Sequence, residues 1–264
     1  MKLYQIDSFT KEKYKGNPAA VCIVEEDLSE TTMQQIAGEM NLSETAFVRI
    51  YNSHCNLRWF TPASEVPLCG HATLASAYVL WKHGYWAPEK NIEFNSLSGS
   101  LYTSLEADGR IVMDFPGQLP QPTHSVDMEK LEGALDTKVA EVLEVPNEVI
   151  AILDSESELK RIDPNSSMIA ELATNGVIVS AASDGEPYDF MSRYFAPNLG
   201  IKEDPVTGFM HTLLTPYWSQ KMGKTEFKAY QASTRGGEMN TVLQGDRVLL
   251  KGHAVQIFQT DIEV

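Results

Sequence analysis

The sequence predicts an α+β chain of two similar halves, each a mostly antiparallel sheet wrapped around one apolar central helix. Three observations carry that prediction. The motif "RWFTP", residues 58–62, returns as "RYFAP", residues 193–197. After each copy a glycine turn opens a largely apolar helix that closes on a second glycine, first Gly70 and Gly84, then Gly208 and Gly223. Farther on, "LEADGRIVM" (105–113) is echoed by "LQGDRVLL" (243–250), each a hairpin signal with Asp and Gly ahead of Arg. Arg110 lies 40 positions past Gly70 and Arg247 lies 39 past Gly208, so the landmarks recur in order at matched spacing.

Taken in order, the first ten residues read as a strand, and "LSETTMQQIAGEM" (28–40) places Leu28, Met33, Ile36 and Met40 near helical spacing. "TAFVRIY" (45–51) is rich in strand formers. Between them, in "NLSETAF", stands one carboxylate, Glu44; taken alone it is a solvated loop residue, because glutamate is almost never buried without a partner. "ATLASAYVLW" (72–81) is apolar on all sides, as a helix at the centre of a sheet must be. "DFPGQLPQPTH" (114–124) is a linker, which puts the boundary near Gly117 and the halves at 1–116 and 117–255, with the last segment, 256–264, returning to the first half. The helix and strand around Asn41 have a fainter echo in "MIAELATN" (168–175) leading into "GVIVSAA". Pro216 should kink or shorten the second central helix, and Gly236-Gly237 reads as a turn between strands.

Composition narrows the function. With 21 Lys+Arg against 36 Asp+Glu, the formal charge is −15, which repels a phosphate backbone and argues against nucleic acid. No apolar run approaches the ~20 residues of a membrane span, and the N-terminus has no signal-like segment, so a cytoplasmic protein without a membrane partner is expected. Cys22, Cys55 and Cys69 form no CxxC pair, and the six histidines have no HExxH or similar ligand spacing. No metal is expected. GxGxxG and GxxxxGK[ST] are both absent, so no nucleotide cofactor is expected either.

The two glycine turns are candidate anion seats. A helix start presents unpaired N–H groups and partial positive charge, and glycine lets a ligand approach the backbone. Gly70-His71-Ala72 and Gly208-Phe209-Met210 could each hold a carboxylate, so that an acidic protein binds an acid; the plainer reading is two turns before buried helices.

"DSFTKEKYKGNPAAVCIV" (7–24), "NLSETAFV", "RWFTPASEVPLCGHAT", "RYFAPNLGIKEDPVTG" and "RGGEM…GHAVQI" together resemble the PhzF-like family of phenazine-biosynthesis isomerases, with the diaminopimelate epimerase-like fold, over nearly the whole chain. The resemblance implies two barrel-like halves, an active site between them and a homodimer. It also implies Glu44 as catalytic acid/base, His71 and Asp204 as its active-site companions, and Asn17, Gly70, Ala72, Gly208, Phe209 and Met210 as substrate-binding positions. The reaction implied is a proton shift on a small carboxylic acid without metal or coenzyme, in a biosynthetic setting. Burial at the junction would raise a carboxyl pKa toward working pH. One departure stands out: where the family commonly has "DPATGSA", this chain has Phe209 in place of the serine. His211, on the first turn of the same helix, reads as a partly exposed helix residue more readily than as a catalytic one.

Two other functions remain open at this stage. The resemblance implies distant fold relatives that run a two-base racemase or epimerase reaction with paired cysteines at the helix starts, yet "VTGFM" offers none to match Cys69, and "NGVIVSA" offers no second acid to match Glu44. A non-catalytic acid-binding protein would keep the seats, but it has little use for a buried carboxylate that costs stability.

Overall fold

The computed structural model describes residues 1–263. The chain forms two compact units, Met1–Phe115 together with the segment from Leu249 onward, and Pro116–Val248. The return to the first unit thus begins seven residues before the position 256 expected from sequence, inside a strand.

The first unit opens with β1 (Lys2–Ser8), β2 (Asn17–Val24), α1 (Glu30–Met40), β3 (Glu44–Ile50), β4 (Cys55–Phe60) and β5 (Glu65–Val66). It continues with α2 (Gly70–Lys82), β6 (Ile92–Ser96), β7 (Gly99–Leu105) and β8 (Ile111–Pro116). In the second unit follow β9 (Gln121–Pro122), α3 (Met128–Leu135), β10 (Glu141–Val145), β11 (Glu148–Leu153), α4 (Glu156–Arg161) and α5 (Ser166–Leu172). Then come β12 (Gly176–Ala182), β13 (Phe190–Phe195), α6 (Gly208–Met222), β14 (Glu226–Gln231), β15 (Gly237–Gln244) and β16 (Arg247–Gly252). Last, β17 (Ala254–Asp261) pairs antiparallel with β1, from Lys2 opposite Asp261 to Ser8 opposite Ala254.

Internal pairing shows the duplication more clearly than the residues do. In the first unit β1–β2 is antiparallel, β2–β3 parallel, β3–β4 antiparallel, β4–β6 parallel and β6–β7 antiparallel. In the second, β10–β11, β11–β12, β12–β13, β13–β14 and β14–β15 repeat that succession of directions. Arg58 falls in β4 and Arg193 in β13, Gly70 opens α2 and Gly208 opens α6, so each repeated landmark occupies the corresponding element. The hairpin turns fall at Gly109 and Gly245, both with positive φ.

Each central helix is buried along most of its length. In α2, Ala72, Leu74, Ala75, Ala77, Val79 and Leu80 are fully buried against a sheet that includes β1, β2, β3 and β17. Thr73 and Ser76 are buried too, and their hydroxyls donate back to the carbonyls of Cys69 and Ala72, which satisfies polar groups that water cannot reach. The α6 helix is not shortened: it runs through Pro216 to Met222. Proline leaves the Thr212 carbonyl without its helical donor. The backbone N–H of Gln118 donates to that carbonyl instead, at 3.2 Å. Gly117 permits the approach, since a Cβ there would meet Val248 at 2.9 Å and Pro216 at 3.5 Å.

One buried acid in the second unit gives a pH prediction. Glu148, 4% exposed, accepts from the Tyr194 hydroxyl and from the Asn175 amide at 3.1 Å. Burial outweighs those bonds and pushes its carboxyl up to about 7 from an ordinary 4.5. Because the folded chain holds this proton at higher pH than the unfolded chain, stability falls as pH rises from about 4.5 to about 7 and stays lower above. Glu148→Gln is expected to remove that decline, gaining up to about 3 kcal/mol at pH 8 relative to pH 5 at ~1.4 kcal/mol per pKa unit. Urea melts of both proteins at the two pH values check it; parallel pH profiles would contradict it.

Candidate active site

Glu44 is the first residue of β3, three positions after Asn41 ends α1 in the left-handed conformation. The parallel register sets it opposite Ala19 of β2, so strand pairing and not the local loop fixes its place. Its side chain is only 14% exposed, unlike the solvated loop residue that the local sequence suggests.

His71 occupies the first turn of α2 and is buried, with its backbone carbonyl held by the Ser8 hydroxyl at 2.7 Å. Its Nε2 lies 3.2 Å from Glu44 Oε2, but out of line for a hydrogen bond. On the other side Nδ1 lies 3.5 Å from Cys69 Sγ. Burial lowers the imidazole pKa to about 3. The pair is therefore a carboxylate beside a neutral ring and not an ion pair.

Both central helices start without a side-chain cap, at Cys69 and at Thr207. By contrast α1, α3, α4 and α5 are capped by Ser29, Asp127, Ser155 and Asn165, whose side chains accept from the first turn. Uncapped first-turn N–H groups are the donors an anion needs. Ala72 and Met210 are fully buried, so neither presents a side chain to a ligand. Phe209, in contrast, is 47% exposed. Asn17 begins β2 and is fully buried, paired in register with Ser8. The preceding Gly16 has φ +64°, and a Cβ there would meet the Ser8 carbonyl at 2.1 Å, so glycine alone fits that turn.

Glu44 and His71 thus come together within the first unit. Asp204 belongs to the second unit, where it is buried and accepts from the Thr207 hydroxyl at the start of α6. Gln231, unremarked in the sequence, braces that start: its amide donates to the Asp204 carbonyl at 2.8 Å and its oxygen accepts from the Thr207 N–H at 2.7 Å. Nothing in the residue pattern marks a glutamine 24 positions downstream as its support. His211 is fully buried and not partly exposed, with Nδ1 2.8 Å from the Thr207 carbonyl and burial lowering its pKa to about 4. No helix among the described residues is long and apolar enough to cross a membrane.

A family model described as phenazine biosynthesis-like protein, PhzC-PhzF, matches residues 6–260. An uncharacterised isomerase of Halalkalibacterium halodurans is 44% identical over 260 residues, covering 98% of this chain and 97% of its own. A phenazine biosynthesis protein of the PhzF family from Enterococcus faecalis, known by crystal structure, superposes with a TM-score of 0.93 at 39% identity, over 100% of this chain and 99% of that one. A probable proline racemase from Agrobacterium radiobacter shares the fold, with a TM-score of 0.61 at 10% identity, over 100% of this chain and 93% of that one. The fold is thus the α+β racemase and epimerase type, and the chain belongs to the PhzC-PhzF family of phenazine biosynthesis-like proteins, an isomerase family.

Proposed function

We propose that this protein is a cofactor-independent isomerase that moves a proton on a small carboxylic acid, with Glu44 as the single general acid/base. The observation that supports it is the pairing of a largely buried carboxylate with a neutral imidazole beside an uncapped helix start. In this reading the carboxylate of Glu44 takes a proton from a carbon made acidic by a neighbouring unsaturation or carboxylate. The electron pair left behind delocalises onto that group, whose negative charge the helix N–H groups stabilise. Glu44 then returns the proton to another carbon on the same face, so nothing is oxidised and no water is consumed. His71 packs against the Glu44 carboxylate at 3.2 Å. In the second unit, Phe209 at the uncapped start of α6 presents exposed apolar bulk and no hydroxyl.

The racemase reading has one observation in its favour, the approach of Cys69 Sγ to His71. Thr207 holds the corresponding cap position in α6, so a second thiol is missing from the pair that such a mechanism uses. The test is deuterium incorporation from D₂O into a panel of unsaturated cyclic acids and amino acids, followed by NMR. Exchange at carbon is expected for at least one compound class and should persist in Cys69→Ala. Loss of all exchange in a folded Cys69→Ala variant would favour the racemase. No exchange across a broad acid panel would favour a binding protein.

A further inference from the structure

The residues around the first helix start also have the composition of a transition-metal site. Glu44, Cys69 and His71 each offer one ligand atom, and these atoms all lie within 4.8 Å of one another. A tetrahedral zinc centre, with bonds of about 2.3 Å to sulfur and 2.0–2.1 Å to nitrogen and oxygen, needs ligand atoms separated by roughly 3.3–3.6 Å. The contacts of 3.2 Å from His71 to Glu44 and 3.5 Å from His71 to Cys69 already meet that scale. They involve opposite ring nitrogens, so a metal would take one nitrogen and draw the third side chain inward. A second observation points to a ligand here: His71 is buried to 6% exposure, and its Nε2 has no aligned hydrogen-bond partner. A buried polar atom in that state costs free energy until something coordinates it.

We propose that Glu44, Cys69 and His71 form a binding site for a borderline-soft divalent ion such as Zn²⁺ or Co²⁺, and that its occupation withdraws Glu44 from proton transfer. A thiol, an imidazole and a carboxylate suit these ions and not Mg²⁺ or Ca²⁺, which take oxygen ligands. On binding, the Cys69 thiol releases its proton to solvent and the thiolate sulfur donates to the metal, with no change of oxidation state. Three protein ligands leave a fourth tetrahedral position for water or a substrate carboxylate. Sequence spacing conceals the site, because Glu44 precedes Cys69 by 25 positions and reaches it only through the placing of β3.

The remaining thiols provide an internal control. Cys22 and Cys55 are fully buried in β2 and β4, and burial pushes both up to about 12. Sulfur coordination should therefore come from Cys69 alone. The experiment is titration of the full-length metal-free protein with Co²⁺, read as the visible bands of a tetrahedral centre and the near-ultraviolet thiolate-to-cobalt band. Both are expected to saturate at one equivalent and to disappear on adding Zn²⁺. Cys69→Ser should fold, abolish the sulfur band and bind at least about tenfold more weakly, since removing a ligand costs no less than removing its outer support. A wild-type protein with no saturable tetrahedral spectrum would overturn the proposal, as would a sulfur band that survives in Cys69→Ser. The spectra need no substrate, so their outcome is separate from that of the deuterium-exchange test.

Discussion

Glu44→Gln is expected to eliminate carbon-bound deuterium exchange while leaving the fold and acid binding nearly intact. Glutamine keeps the size and shape of the side chain, so the start of β3 and its register against β2 should hold. What it cannot do is accept a proton and give it back. General acid/base contributions of roughly 10²–10⁴-fold set the minimum loss, and a single-base mechanism has no second group to recover it. The neighbouring His71 is held neutral by burial, so the substitution removes no charge pairing between those two side chains. The measurement compares exchange rates by NMR, thermal melts and binding of a non-exchanging carboxylic acid in the two proteins. Exchange at the wild-type rate in the variant would remove Glu44 from the mechanism. Loss of acid binding alongside exchange would mean instead that the carboxylate is part of the binding surface.

Much of this site could be read from the residues, and the parts that could not share one cause. The helix ending at Asn41, the strand beginning at Glu44 and the glycine opening of α2 are local features, set by caps, turn conformations and apolar spacing. So is the placing of Cys69 near His71, two positions apart across a helix start. The approach of Glu44 to His71 depends on the parallel β2–β3 register, a non-local pairing that periodicity does not encode. The burial of His211 has a related cause. Its turn position is polar by type, but the helix around it has no solvent face there, and the Thr207 carbonyl satisfies its ring. Pro216 shows the same limit from the other direction: the proline rule correctly removes one donor, while the Gln118 N–H that replaces it comes from the linker, almost a hundred positions earlier. The repeated Arg-aromatic-Phe segments are legible in the sequence, but the reason they repeat is not.

That reason gives the second large effect. Within each unit the arginine lies over the phenylalanine two residues on, at 5.1 Å for Arg58 over Phe60 and 4.8 Å for Arg193 over Phe195. Each also forms a two-pronged contact with a glutamate, Glu65 in one unit and Glu203 in the other. Their surroundings differ. The Arg193 side chain is 9% exposed, and its remaining nitrogen donates to the carbonyls of Leu159 and Ile162 at 3.2 and 2.7 Å, adding to the single Ile162 N–H that closes the end of α4. The Arg58 side chain is 34% exposed and its further contact is Glu30 in the first turn of α1. Arg193→Ala should therefore cost about 3 kcal/mol, because it leaves the largely covered Glu203 carboxylate and the Ile162 carbonyl without their donor and takes one of two donors from the Leu159 carbonyl. Arg58→Ala should cost about 1 kcal/mol or less, as exposed pairs do. Lysine should not rescue the first, since one ammonium cannot grip a carboxylate in two-pronged fashion and reach both carbonyls. Urea denaturation of the variants measures the difference, and amide hydrogen exchange locates it: protection should fall in α4, β12 and β13 for Arg193→Ala and remain there for Arg58→Ala. Equal losses from the two substitutions would show that the repeated motif, and not the burial of its second copy, sets the energy.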